Sequence, residues 1–176
     1  MNSLNNISLS TIPSPLRRIL IAMLITLAIG VTLGLLVVFV TTTGLPSGIT
    51  VHYQGDNPDD VDLIPDKYPM PVKELLITTH NHILSFTFIF GFLGLLIQLS
   101  NKLNAKQKQL LGIEPFISII LTFGSMWGIR FLSGYFVWIM LLSSALMYVS
   151  FFIMITLILW ELVSRQDDTK SGTLDR

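Results

Sequence analysis

The chain has 176 residues, of which 51% are hydrophobic and 12% charged, and its mean hydropathy is +0.67. A soluble domain carries about 25% charged residues, so there is too little charge here to cover a globule in water, and lipid is the expected solvent. Eleven basic residues balance eleven acidic ones, which excludes the basic field that gathers nucleic acid. The absence of cysteine excludes disulfides, thiol catalysis, thiolate-held clusters and haem attached through Cys-x-x-Cys-His.

The first dozen residues, rich in Asn and Ser, predict a loosely held terminus. Behind Arg17 and Arg18 an apolar run from Ile19 to Val40 predicts a first helix over about residues 18–41. It is longer than the core of about 7–15 residues in a cleaved signal, and Thr41 to Gly44 is a poor small-x-small cleavage site, so the span is expected to be retained. Ala22, Thr26, Gly30 and Gly34 recur at every fourth position and share one face. That is the spacing at which helices approach closely in lipid, either inside the bundle or against another chain.

Residues 42–72 hold Pro46, Pro58, Pro65, Pro69 and Pro71 together with Gly44, Gly48 and Gly55, which predicts an irregular loop. Within it Ile49 to Tyr53 alternates weakly, as a short strand or an extended docking edge would. Asp56, Asp59, Asp60 and Asp62 predict an acidic turn and lack the ligand spacing of a helix-loop-helix calcium site.

A second helix is expected over about 73–99. The apolar stretch from Phe116 to Leu162 is too long for one crossing and divides around Arg130, Ser133 and Gly134. This gives helices over about 115–131, with Pro115 at the first helical position, and 134–162, with Ser133 as a cap. So short a turn makes these two an antiparallel hairpin. The tail from Gln166 is expected to be loose, and Glu161 with Arg165 reads as an i, i+4 surface pair. The expected fold is therefore an all-α membrane protein, one integral domain of four transmembrane helices in an up-down bundle.

Basic residues fix the orientation. Arg17, Arg18, Lys102, Lys106, Lys108, Arg165, Lys170 and Arg176 fall on one side, against Lys67 and Lys73 with Arg130 near the membrane face on the other, so both termini are expected in the cytoplasm. Trp127, Tyr135 and Trp138 then lie near the outer interface and Trp160 near the inner one.

Chemistry is concentrated at the start of the second helix, where Glu74 leads into Thr78, His80, Asn81 and His82. At 100° per residue Glu74, Thr78, Asn81 and His82 share a broad face and His80 does not, so the two imidazoles do not chelate one ion from regular helix. Polar groups at that depth need partners. Arg130, with Trp127 beside it, is expected at the same level on the third helix, where it meets Glu74 or the histidines. Haem b requires axial imidazoles, commonly two from different helices, and only the second helix supplies them. Copper or zinc held by His80, His82, His52 and an acidic residue stays open as a cofactor. Gly124 and Gly128 on the third helix add further close-packing positions. No ionisable residue is expected at the centre of any span, which argues against an ion-coupled carrier.

The segment Pro69 to His82, reading Pro-x-x-x-x-Glu-Leu-Leu-x-x-Thr-His-x-His, together with Trp127-Gly128-Ile129-Arg130, resembles a group of uncharacterised bacterial four-helix inner-membrane proteins that carry Thr-His-x-His at the start of the second helix. The resemblance implies a bacterial inner membrane and weight on Glu74, His80, His82 and Arg130, and no reaction. Three readings follow: an accessory non-catalytic subunit, of a redox or envelope complex, that binds a protein partner or a second copy; a metal- or haem-binding electron-transfer component; and a small-solute transporter.

Overall fold

In a computed structural model the chain is described over residues 8–56 and 67–171, with side chains as far as 164. A 3-10 turn (Leu9–Thr11) precedes α1 (Ser14–Thr42), α2 (Pro46–Gln54), α3 (Val72–Gln98), α4 (Ala105–Phe131) and α5 (Phe136–Ser171), and no strand occurs among the described residues. The helices α1, α3, α4 and α5 are each long and apolar enough to cross a membrane. The fold is the all-helical, four-span architecture that the composition predicts.

In lipid the hydrophobic drive between helices disappears, so close packing must hold the bundle. α4 packs most extensively on α5 and next on α3. Phe90, Leu93, Ile97, Ile119, Met126, Phe151 and Met154 are fully or almost fully buried between these three. Phe90 meets Phe151 edge-on at 6.2 Å, and Phe86 meets Phe123 at 5.9 Å. A Cβ on Gly94 would stand 4.0 Å from the Cα of Gly112, which marks the close approach of α3 to α4.

Three local expectations are corrected. The segment Ile49 to Tyr53 is helical and belongs to α2. Its β-branched residues look like a strand, but Ile49 and Tyr53 are buried at i, i+4 spacing, and Pro46 stands at the start, where a missing N–H costs nothing. α4 begins at Ala105 rather than Pro115, because Asn104 and Gln107 form a reciprocal capping box, the Asn104 side chain accepting from the Gln107 N–H at 3.0 Å. Pro115 is an interior proline. The ends are also less loose than expected. Leu9 is buried and its N–H donates to the Leu99 carbonyl at 2.9 Å, and α5 continues through 166–171. Residues 1–7 and 172–176 lie outside the described residues.

Glu161 is buried rather than on the surface. Its carboxylate accepts from the Ser100 hydroxyl at 2.5 Å and from the Asn101 N–H at 2.9 Å, fastening the α3–α4 turn to α5. The side chain of Arg165, its expected partner, lies outside the described residues. Helix α1 stands apart from this arrangement. Only 6% of its most apolar stretch is buried, against 28% for α3 and 39% for α4 and α5, and it packs chiefly on α5 and α2.

Candidate functional site

At one end of the bundle α2 packs against the ends of α4 and α5 and against α1. The turn from α1 into α2 is tight, since a Cβ on Gly48 would fall 2.2 Å from the carbonyl oxygen of Thr42, the last residue of α1. Gly55, at φ +82°, ends the helix in a conformation that a side chain disfavours. The chain then closes on itself: the Asp56 N–H donates to the Lys67 carbonyl at 3.0 Å, and the Asp56 carboxylate accepts from the Lys67 N–H at 2.7 Å. Asp59, Asp60 and Asp62 of the expected acidic turn lie outside the described residues.

Last-turn carbonyls of a helix lack intrahelical partners. The Gln54 amide meets this need by donating to the Ile129 carbonyl at 2.6 Å, which ties α2 to the end of α4. The Arg130 Nε donates to the Met70 carbonyl at 3.1 Å, its guanidinium lies 5.0 Å from the Phe131 ring, and the Met70 N–H donates to the Tyr53 carbonyl at 3.1 Å. The Trp127 indole donates to the Thr79 hydroxyl at 3.0 Å, and that hydroxyl donates in turn to the Leu75 carbonyl at 2.7 Å. Arg130 and Trp127 thus serve the joints between α2, α3 and α4.

The histidines are placed separately. His80 is exposed on α3. The His82 Nδ1–H donates to the Thr78 carbonyl, an acceptor only, at 2.8 Å, so Nε2 is the free ring nitrogen; the ring lies 5.3 Å from that of Phe123 and 6.1 Å from that of Phe86. Thr78 is half-buried, and Asn81 and Glu74 are exposed. Among the described residues no hydrogen bond joins Arg130 to Glu74 or to either imidazole, and no group of three His, Asp or Glu could hold a metal ion. His52 sits half-buried on α2, edge-on to Tyr53 at 5.0 Å. Burial, and secondly Lys67, hold its pKa below 6.5, while Glu74 pulls the other way. Burial pushes the Tyr53 phenol up to about 12.

The small residues differ in use. Gly30, Gly34 and Gly124 have open space where a Cβ would stand, whereas one on Gly128 would fall 2.4 Å from the Phe136 ring.

A second polar centre lies between α4 and α5. The Glu114 carboxylate accepts hydrogen bonds from the hydroxyls of Ser118, one turn on along α4, and Ser150 on α5. Ser150 is the middle residue of the apolar part of α5, 136–164, so the carboxylate lies near mid-span. One turn beyond Ser118, the Thr122 and Ser143 hydroxyls are hydrogen-bonded at 2.8 Å, and Ser118, Thr122, Ser143 and Ser150 are all buried. This corrects the expectation that no span carries an ionisable residue near its centre. A helix that starts at Pro115 would leave Glu114 at the membrane boundary, whereas α4 starts at Ala105. The i, i+4 ladder Glu114, Ser118, Thr122 was the signal that marks it as interior.

A family model described as a transmembrane helical domain, Aq_1264_TM, matches residues 43–169, from the residue after α1 almost to the end of α5. The chain belongs to this family. The match covers well over half the chain, and in Aq_1264_TM terms the shared unit is α2 to α5, which contains both the α2 cap and the Glu114 seam. No curated protein and no solved structure matches the chain.

Proposed function

We propose that the protein is an accessory, non-catalytic subunit of a bacterial inner-membrane complex, seated against another membrane chain through α1. One observation carries the reading: α1 is the most apolar helix and the least buried, and it presents Ala22, Thr26, Gly30 and Gly34 on an exposed face. Small residues let helix backbones approach until dispersion and weak hydrogen bonds hold them in lipid, where leucine-covered faces gain little over lipid contact. The family match begins where α1 ends, which fits a peripheral helix with a role of its own. The excess of Lys and Arg on the side of the termini and the α3–α4 turn supports a cytoplasmic placement of both termini. The α2 cap, with Arg130, Trp127 and Gln54 at its joints, then forms the outer surface of the subunit.

The test uses the open space at Gly30 and Gly34, where an added Cβ meets no atom within 4 Å among the described residues. The Gly30→Ile/Gly34→Ile variant is expected to keep its fold and to lose the membrane chains that co-purify with the wild type in mild detergent. Leu33→Phe, a lipid-facing change next to the ladder, keeps them. Identical composition and assembly size for all three proteins would overturn the reading, and loss of self-association alone would replace the foreign partner with a second copy.

A further inference from the structure

We propose that the groove between α4 and α5 is a binding site for a lipophilic organic cation, with Glu114 as its counter-charge. The groove has a volume of about 570 Å³, within the range of roughly 300–1,000 Å³ typical of small-molecule sites. Ile113, Ile117, Leu142 and Leu146 supply apolar walls, and Glu114 is the one acidic side chain lining it. Lys106 lies at the far end, two helical turns from Glu114 along α4 and towards the α3–α4 turn.

Three features select a cation with an apolar body. First, the carboxylate stands at a depth where a charge is costly unless it is matched. Its hydrogen-bond partners are two neutral hydroxyls, and no cationic side chain among the described residues bonds to it. Second, most of the lining is aliphatic, which favours a ligand whose surface is hydrocarbon or aromatic over a hydrated metal ion. Third, Ile117, Leu121, Leu142 and Leu146 are exposed on the outside of the bundle, so a ligand dissolved in the bilayer reaches the carboxylate sideways without crossing the packed interface. The serines orient the carboxylate and hold it at the α4–α5 seam, an arrangement that exists before a ligand arrives. The proposal is independent of the α1 reading, because α1 contributes nothing to the groove.

The test measures equilibrium binding of tetraphenylphosphonium to the full chain in detergent or lipid nanodiscs, with neutral triphenylphosphine oxide as the shape control. Wild type is expected to bind about one tetraphenylphosphonium per chain and the neutral probe at least tenfold more weakly. Glu114→Gln, whose amide oxygen still accepts from a serine, is expected to lose at least tenfold in affinity for the cation. Leu142→Trp, which fills the groove and keeps the carboxylate, loses binding as well. The Gly30→Ile/Gly34→Ile variant binds as wild type, which separates this proposal from the one above. Equal binding of both probes, unchanged cation affinity in Glu114→Gln, or no saturable binding by wild type would each overturn it. The comparison of probes on the wild-type protein needs no variant to fold.

Discussion

The Glu114 carboxylate accepts a hydrogen bond from Ser150, so an acidic side chain of α4 is fastened to the middle of the α5 apolar span. Hydrogen bonds between membrane helices average about 0.6 kcal/mol and reach roughly 1.7 kcal/mol, less than their surroundings suggest, because the unfolded chain also finds partners in the membrane. A bond to a carboxylate belongs at the upper end. Ser150→Ala is therefore expected to lower stability by about 1–1.7 kcal/mol in reversible unfolding in mixed micelles. Thr122→Val, which removes a hydroxyl-to-hydroxyl contact with Ser143, costs less. Stability of Ser150→Ala equal to that of wild type would show that the Glu114 bond contributes nothing to the fold.

Glu161 plays the corresponding part at the end of the bundle that carries the α3–α4 turn. With the carboxylate gone, the buried Ser100 hydroxyl and the partly buried Asn101 N–H lose their acceptor. Glu161→Ala is expected to cost about 1–3 kcal/mol, and Glu161→Gln less, since its amide oxygen still accepts one of the two. Amide exchange is the sharper measurement. The Asn101 N–H exchanges faster in Glu161→Ala, while the amides in the middle of α4 are little changed. Unaltered protection at Asn101 would count against the role of Glu161 in holding the turn.

The docking of α2 is expected to weaken on both sides of neutral pH. The pKa of His52 is lower in the fold than its ordinary 6.5, so the unfolded chain binds the extra proton more readily. Its stabilising share is whole above pH 6.5 and falls as pH drops through the lowered value. Tyr53 has the opposite sign: its phenol rises from 10.0 to about 12, so its share is whole below pH 10 and is lost as pH climbs towards 12. Cleavage after Lys67 by a pH-tolerant protease is the readout, faster at both extremes. His52→Gln flattens the acid limb and Tyr53→Phe the alkaline one. A profile unchanged by either variant would mean that α2 does not report these groups.

Much of the bundle was legible because lipid imposes a length and an apolar composition on any crossing helix, and α1, α3 and α5 state both in the sequence. The first ten residues of α4 are not legible as membrane helix, because Ala105 to Ile113 carries the polar residues Lys106, Gln107, Lys108 and Gln109, which look like loop. Only the Asn104 and Gln107 spacing betrays a helix there. That single boundary decided whether Glu114 counted as interfacial or interior. At the α2 end, residue types identified a polar region without its wiring. Arg130 is expected to meet Glu74 or the histidines, but its Nε donates to the Met70 backbone carbonyl, and the Trp127 indole meets Thr79, the neighbour of the expected Thr78. Backbone acceptors are invisible in a pattern of side chains, and the family match to residues 43–169 adds an architecture without adding that wiring.

Gly124 and Gly128 provide an internal comparison at one helical turn. Both are helical glycines in a GxxxG pair, and the sequence treats them alike. A Cβ at 124 enters open space, while one at 128 meets the Cδ1 and Cγ atoms of Phe136, where α5 begins. Those atoms are near the root of a rigid ring, so the ring cannot swing clear without moving the start of α5. Gly128→Ala is expected to cost about 1–3 kcal/mol through overpacking of the α4–α5 hairpin. Gly124→Ala is expected to be neutral or stabilising by about 0.5–1 kcal/mol, because alanine loses less chain entropy in a helix. Thermal unfolding of the two variants in the same detergent decides the matter. Equal shifts in the same direction would mean that Phe136 yields freely and that the hairpin is not closely packed at its turn.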